Sequence, residues 1–335
     1  MRESLRRLAS DDGMVSRLST GRVRVELLTG EHITLDVERK STGADLLDSV
    51  CDALDILEKD YFGLLHTQRD SRQWVDLKRR LTKSFRNEPW DVRFAVKFYP
   101  PEPSELHDEV TRYQVGLAIR RDLIEGRLKC STITYALLAS YVLQAELGDR
   151  EGKVPTTILS THNAVPLQVI TPDFEDKVDE LYRKHKGQTP AEAELNYLEN
   201  AKKLALYGAE LHSVRDSDDA EIILAVCSGG IAILRDGIIM SRFPWAMVSK
   251  LSYRARAYWV RLRPTESLAS EQGEARVGFR LGTASDAKRL WRCSVEFHMF
   301  YRREAPVKVE RITGFPRFGS RRVSCRSTLR QLRAI

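Results

Sequence analysis

No apolar run in the sequence approaches the roughly 20 residues that a membrane-spanning helix needs, although 42% of its 335 residues are hydrophobic. The opening stretch, "MRESLRRLASDDG", carries charge but no apolar centre, so it is not expected to act as a secretory leader. Cysteine is scarce. Cys51, Cys130, Cys227, Cys293 and Cys325 stand singly, which suits a reducing cytosol better than a disulfide framework. There is no Gly-rich phosphate loop ending in Lys-Ser/Thr, no His-Glu-x-x-His, no nucleophile elbow and no Cys-x-x-Cys pair. The seven histidines show no metal-ligand spacing. The expectation is a soluble non-enzyme that needs neither metal nor cofactor.

Charge is present in quantity but unevenly placed. The chain carries +7 overall, while Arg302 to Ile335 alone hold ten Lys+Arg against two Asp+Glu. A near-neutral body therefore ends in a basic tail. Such a tail is either an ordinary solvated segment or a contact for anionic partners. Without a recognised nucleic-acid fold or aromatic interleaving, nucleic acid is not expected among them.

The residue pattern divides the body into three lobes. Val23, Val25 and Leu27 alternate, Thr29-Gly30-Glu31 supplies a turn, and Ile33, Leu35 and Val37 alternate again, which predicts a β-hairpin. Leu46, Leu47, Val50 and Leu54 then share one helical face, with Ser41 or Thr42 as cap. Strands near Phe62 to Leu65 and at "DVRFAVKF" complete a small mixed domain of β-grasp type. Pro100, Pro101 and Pro103 form a short, semi-rigid spacer.

Helices follow. One carries Leu106, Val110, Tyr113 and Leu117 at helical spacing and stops at Gly126; the next, "STITYALLASYVLQAELG", is apolar over most of its surface and hence central. A third has Phe174, Val178, Leu181 and Tyr182. A fourth opens with Thr189, Pro190 and a capping box closed by Glu192, buries Tyr197, Leu198, Ala201, Leu204 and Ala205, and ends at Gly208. Six short strands between Glu221 and Leu281 then suit an antiparallel sandwich or barrel. A last helix, capped by Ser285 with Asp286 in its first turn, closes the lobe.

The motifs "LEKDYFGL", "VKFYPPEP", "TRY", "DLIEGRLKCS", "LLASYVLQAELGD", "QTPAEAELNYLENAKKLALYGAELH" and "RFPWAMVSKLSY" occur in that order between Arg22 and Arg303. Together they resemble the FERM domain of the band 4.1 group. The resemblance implies an α+β cloverleaf of three lobes. These are a ubiquitin-like β-grasp (22–99), a helical bundle like acyl-CoA-binding proteins (100–208), and a PH/PTB-like β-sandwich with a C-terminal helix (209–303). The N-terminal tail spans 1–21. The basic tail, 304–335, looks like the start of the FERM-adjacent region through "FGSRRVSCRS", without that region's usual aromatic residue.

The resemblance also implies sites. PTB-like modules take an extended peptide against a sheet edge. Positions matching that groove are Val248 and Leu251 on the strand after Pro244-Trp245, with Trp291, Val295 and His298 on the last helix. The competing reading, a plain sandwich core, applies most to Val248 and Val295. Arg79, Arg80 and Lys288 match positions used for phosphoinositide headgroups, where the alternative is a solvated charged face. "AKRLWRCSVEFHMFYR" has a calmodulin-target-like mix of basic and apolar residues, but the face calmodulin would grasp is the face the lobe needs for its own core. "RRVS" makes Ser324 a basophilic-kinase site whose phosphate would weaken attraction to an anionic membrane.

Implied partners are cytoplasmic tails of transmembrane proteins, anionic lipids, calmodulin and the cortical cytoskeleton. The family's spectrin–actin-binding segment has no counterpart in these residues, so the cytoskeletal link is expected to be indirect or to lie beyond residue 335. The implied function is a non-catalytic adaptor at the inner face of the plasma membrane. The alternative is a targeting module at the N-terminus of a larger enzyme such as a tyrosine phosphatase or guanine-nucleotide exchange factor.

Overall fold

Alternation at Val23 and Val25 and again at Ile33 and Leu35 forms the expected hairpin in the computed structural model. β1 (Thr20–Glu26) runs antiparallel to β2 (His32–Glu38), with Val25 opposite Ile33 and Val23 opposite Leu35. The structure describes residues 20–67, 72–86, 88–150, 156–162, 164–263 and 276–301. These residues fall into two compact units, one running to Leu204 and the other starting at Ala205.

In the first unit the hairpin is followed by α1 (Gly43–Ala53), β3 (Phe62–His66), the single turn α2 (Leu81–Ser84) and β4 (Asp91–Val96). The cap of α1 is Thr42. Its hydroxyl accepts from the Asp45 amide, and the Asp45 carboxylate accepts from the Thr42 amide at 2.7 Å. Leu46, Val50 and Cys51 are fully buried beneath the sheet. The strand order is β2-β1-β4-β3, and β4 runs parallel to β1 with Val92 opposite Val25. A parallel pairing needs a long crossover, and the stretch containing α1, β3 and α2 supplies it. The central strand buries Val92, Phe94 and Val96, with the Phe62 and Phe94 rings stacked at 5.0 Å.

The proline segment is part of a packed seam. Phe98, Tyr99 and Pro100 are buried, and the Tyr99 hydroxyl donates to Asp122 Oδ2 at 2.6 Å. Asp108 caps α3 (Glu109–Ile124) by accepting from the Thr111 amide, and accepts also from the Leu57 amide at 3.0 Å. Arg121 pairs with Glu26 at 3.1 Å and donates to the Leu27 carbonyl. These bonds tie the sheet to the helices without relying on the prolines alone.

The helices differ from expectation in register. α3 starts at Glu109, and it buries Thr111, Gln114, Val115, Ala118, Ile119 and Leu123, whereas Val110, Tyr113 and Leu117 are half-buried. The buried stripe includes polar groups: the Thr111 hydroxyl donates to the helix's own cap, Asp108, at 2.6 Å, and Arg120 pairs with Glu146 at 2.6 Å. Gly126, at φ +71°, follows the helix end as predicted.

α4 (Thr132–Leu147) is central, buries Ala136, Leu138, Ala139, Val142 and Leu143, and packs on both α6 (Pro172–Arg183) and α7 (Pro190–Ala201). The short α5 (Thr156–Thr161) between them was not predicted. The capping box of α7 is present, with Glu192 Oε2 accepting from the Thr189 amide at 2.8 Å. That helix stops at Ala201 rather than Gly208, leaving Leu204 half-buried and Ala205 exposed.

The second unit opens with a strand that patterning missed, β5 (Glu210–Arg215). Its "ELHSVR" has polar residues on both faces. β6 (Glu221–Cys227), β7 (Gly230–Arg235), β8 (Ile238–Pro244), β9 (Val248–Arg254), β10 (Ala257–Leu262) and β11 (Arg276–Arg280) match the predicted strands. The sheet order is β8-β7-β6-β5-β11-β10-β9, and among the described residues β5 is joined to β11 by the Arg215–Arg280 pair. Each half turns an apolar face inward: Leu224, Val226 and Ile231 from one, Tyr258, Val260 and Phe279 from the other. α8 (Ala284–Tyr301) packs on β6, β9 and β10 and fills the core with Leu290, Phe297 and Phe300. Its cap is Thr283, not Ser285, because the Thr283 hydroxyl accepts from the Asp286 amide at 3.1 Å.

Candidate peptide-binding groove

β9 is the last strand of its sheet. One side pairs with β10, with Leu251 opposite Val260 and Tyr253 opposite Tyr258, and among the described residues nothing pairs with the other. The tight turn between them places Ala255 at φ +49°, a left-handed turn position. The hydrogen bond from Trp291 Nε1 to the Leu251 carbonyl, 3.2 Å long, shows that this oxygen is turned away from β10 towards the open edge. In an antiparallel ladder alternate residues point their backbone groups outward, so Tyr253 offers its groups to the same edge.

The other wall is α8. Its spacing sends Leu290, Cys293, Ser294 and Phe297 into the core and leaves Trp291, Val295 and His298 half-buried towards the edge strand. The Tyr253 ring leans on Trp291 at 5.1 Å, and His298 meets the edge of Trp245 at 5.5 Å. Trp245 is itself held by a bond from its Nε1 to the Cys227 carbonyl at 3.1 Å. Beneath them the Tyr258 hydroxyl donates to Ser294 Oγ, which donates to the Leu290 carbonyl, both at 2.9 Å. Burial raises the Tyr258 phenol pKa, so that bond persists across the ordinary pH range.

Leu251 and Trp291 are therefore brought together, His298 meets Trp245, and Val295 lies between Trp291 and His298 on the same helix face. Val248 is 4% exposed and belongs to the core below them. Tyr253 and Trp245 complete the walls. Period-two spacing from Leu251 would have found Tyr253, whereas Trp245 sits on a single turn of 3-10 helix with no strand pattern to mark it. The arrangement presents backbone donors and acceptors along one line, an aromatic–aliphatic slot beside it, and an imidazole at one end. That is the chemistry of strand addition.

The cationic positions divide between the units. Arg79 and Arg80 are exposed on the turn leading into α2 in the first, and Lys288 is exposed near the start of α8 in the second. Ser324 and the basic tail lie outside the described residues. The apolar face that calmodulin would need contains Leu290, Phe297 and Phe300, all at most 2% exposed. Burial pushes the Cys51 thiol up to about 12 and the Cys130 thiol up to about 11, so neither is a nucleophile at neutral pH. Among the described residues there is no His/Cys/Asp/Glu group that could hold a metal, and no helix is long and apolar enough to cross a membrane.

Comparison with known proteins agrees with this architecture. The chain matches the FERM N-terminal domain over residues 25–87, the FERM central domain over 101–212 and the FERM C-terminal PH-like domain over 216–309. It is 45% identical over 300 residues to the Protein 4.1 homolog of Drosophila melanogaster, covering 89% of this chain and 17% of that protein. It is 43% identical over 300 residues to Band 4.1-like protein 3 of Homo sapiens, covering 88% and 27%. With Homo sapiens Protein 4.1 it shares 42% over 281 residues, covering 83% and 32%. The chain thus spans about a third or less of the length of each of these relatives.

Among solved structures, the FERM and C-terminal domain complex of Drosophila Merlin superposes with a TM-score of 0.73 at 22% identity, covering 84% of this chain and 96% of that one. The human Myosin 7b C-terminal MyTH4-FERM domain, solved in complex with the harmonin-a PDZ3 domain, gives 0.61 at 16%, covering 83% and 60%. Matches to all three FERM domains in order, together with 40–45% identity to proteins 4.1, make this chain a FERM domain of the band 4.1 group.

Proposed function

We propose that the chain is a non-catalytic membrane–cytoskeleton linker that docks the cytoplasmic tail of a membrane protein along β9 and contacts anionic lipid headgroups through Arg79, Arg80 and Lys288. The observation that carries this reading is the open edge of β9, walled by Trp291, Val295 and His298 and supplied with outward backbone groups. An edge of that kind gains main-chain hydrogen bonds from an extended peptide, and the slot beside it selects side chains. For the lipid contact, the support is the exposure of all three cations. The cytoskeletal link rests on membership of the band 4.1 group. The alternative reading is a targeting module at the N-terminus of a larger enzyme such as a tyrosine phosphatase or guanine-nucleotide exchange factor. A full-length transcript with a catalytic domain after residue 335 would establish it.

The test of the lipid contact is co-sedimentation with phosphoinositide-containing liposomes. The intact chain is expected to bind, an R79A/R80A/K288A variant to lose binding, and a chain ending at Arg303 to keep it. Loss only in the shortened chain would assign the attraction to the tail and remove these three residues from the site.

A further inference from the structure

We infer that the ligand of the β9 edge is an extended acidic peptide whose carboxylates alternate with apolar side chains. This rests on the groove reading above and adds the chemistry of the ligand to it.

Successive side chains of a strand point to opposite faces. Tyr253 packs on Trp291, so Leu251 and Tyr253 face α8, while Lys250, Ser252 and Arg254 face the other way. Lys250 and Arg254 are exposed, and neither has an ion-pair partner among the described residues. The pairing register extends their face across three strands as the rows Lys250–Arg261–Arg276, Ser252–Trp259–Gly278 and Arg254–Ala257–Arg280. No carboxylate occupies any position in these rows. Arg276 stacks on the Trp259 ring at 4.4 Å. Arg280 pairs with Asp219 at 3.3 Å, which also serves Arg215, and Arg261 has interactions of its own.

A peptide added to β9 becomes the next strand of this sheet, and its residues lie directly opposite those of β9. Its inward side chains enter the slot formed by Leu251, Tyr253 and Trp291. Its outward side chains extend the Lys250 and Arg254 rows, where a cation is repelled and a carboxylate attracted. The complementary sequence is therefore acidic–apolar–x–apolar–acidic, with the acidic residues opposite Lys250 and Arg254. Leu251 O can serve such a peptide without releasing Trp291, because a carbonyl oxygen has two lone pairs.

The same argument removes two other occupants. The chain's own tail has ten basic and two acidic residues from Arg302 onwards, so it meets the edge as a like charge. A second copy of β9 would set Lys and Arg against Lys and Arg, a device that natural edge strands use against self-pairing.

The test uses the full chain and a fluorescein-labelled peptide, Thr-Asp-Phe-Thr-Tyr-Asp-Thr, followed by anisotropy and by hydrogen exchange of the Leu251 and Tyr253 amides. The Asp peptide is expected to protect both amides and to bind about fivefold more tightly than its Asn counterpart, from two cross-strand charge pairs of ordinary strength. A K250E/R254E chain is expected to reverse the preference towards a Lys counterpart. Equal affinity for the Asp and Asn peptides with the amides still protected would leave the groove intact and overturn the charge rule. Binding without protection, or binding that survives N-methylation of the peptide backbone, would overturn strand addition itself. Failure of all three peptides to bind would reject the groove reading and this inference with it.

Discussion

At the scale of single residues, two positions carry consequences that follow from local chemistry. Gly230 opens β7 at φ +146°, and a Cβ placed there would lie 2.1 Å from the Phe243 carbonyl oxygen on the neighbouring strand. Backbone cannot yield as a flexible side chain does. Gly230→Ala is therefore expected to cost the second unit about 3 kcal/mol, read as a lower urea midpoint, and an unchanged midpoint would contradict the register.

His185 is the second. It is 5% exposed, its Nε2 lies 2.8 Å from Ser140 Oγ, and its ring stacks on Tyr141 at 4.1 Å. Burial lowers its pKa below the ordinary 6.5. The unfolded chain thus takes up a proton before the folded one, so stability is full above about pH 6.5 and declines as pH falls from there towards the depressed folded value. His212 is shifted the same way by its own burial and adds to that slope. His185→Gln is expected to flatten, but not abolish, the decline in thermal midpoint between pH 7 and 5.5. A slope identical to the parent's would show that His185 does not report its burial.

At the scale of elements, capping boxes were legible, whereas the end of α7, the cap of α8 and the buried face of α3 were not. Thr189-Pro190 and Glu192 announced α7, and the box forms with bonds of 2.8 and 3.3 Å. Thr189→Ala is expected to destabilise the first unit by about 1 kcal/mol. Thr189→Ser should restore most of it, and equal losses in both would assign the effect to packing rather than the cap. Capping is legible because it is local: the partners are three residues apart. The buried face of α3 was not, because tertiary packing covers Thr111, Gln114, Arg120 and Asp122 beside Val115 and Ile119, so polar and apolar residues share the covered side. β5 failed for a related reason. Val214 is its one buried apolar residue, so it is held by ladder bonds to β6 and gives no period-two signal. The groove was half legible. Helical spacing put Trp291, Val295 and His298 together, but the number of residues separating Leu251 from Trp291 says nothing about whether they meet.

At the scale of the whole chain, charge is the property with the clearest reach. The residues from Arg302 onwards carry more positive charge than the +7 of the entire chain. Liposome binding through them should fall steeply between 50 and 300 mM salt, since screening shortens the reach of exposed charges to about 8 Å near physiological ionic strength. Binding that engages only Arg79, Arg80 and Lys288 should fall less, because fewer charges are screened. A chain ending at Arg303 is therefore expected to show the shallower salt dependence, measured by co-sedimentation across that range, and identical slopes would place the tail outside the membrane contact.

By itself the sequence determined the family, the order of mixed, helical and strand-rich segments, the caps of α1 and α7 and the charge asymmetry, because each depends on residues close together in the chain or on a plain sum. Tertiary structure alone decided that β9 is an edge, that Val248 lies under the groove while Tyr253 lines it, and that Lys250 and Arg254 share a sheet face with Arg261, Arg276 and Arg280. Those facts depend on which distant strands pair and in what register, and a one-residue slip would have turned every one of those side chains to the opposite face.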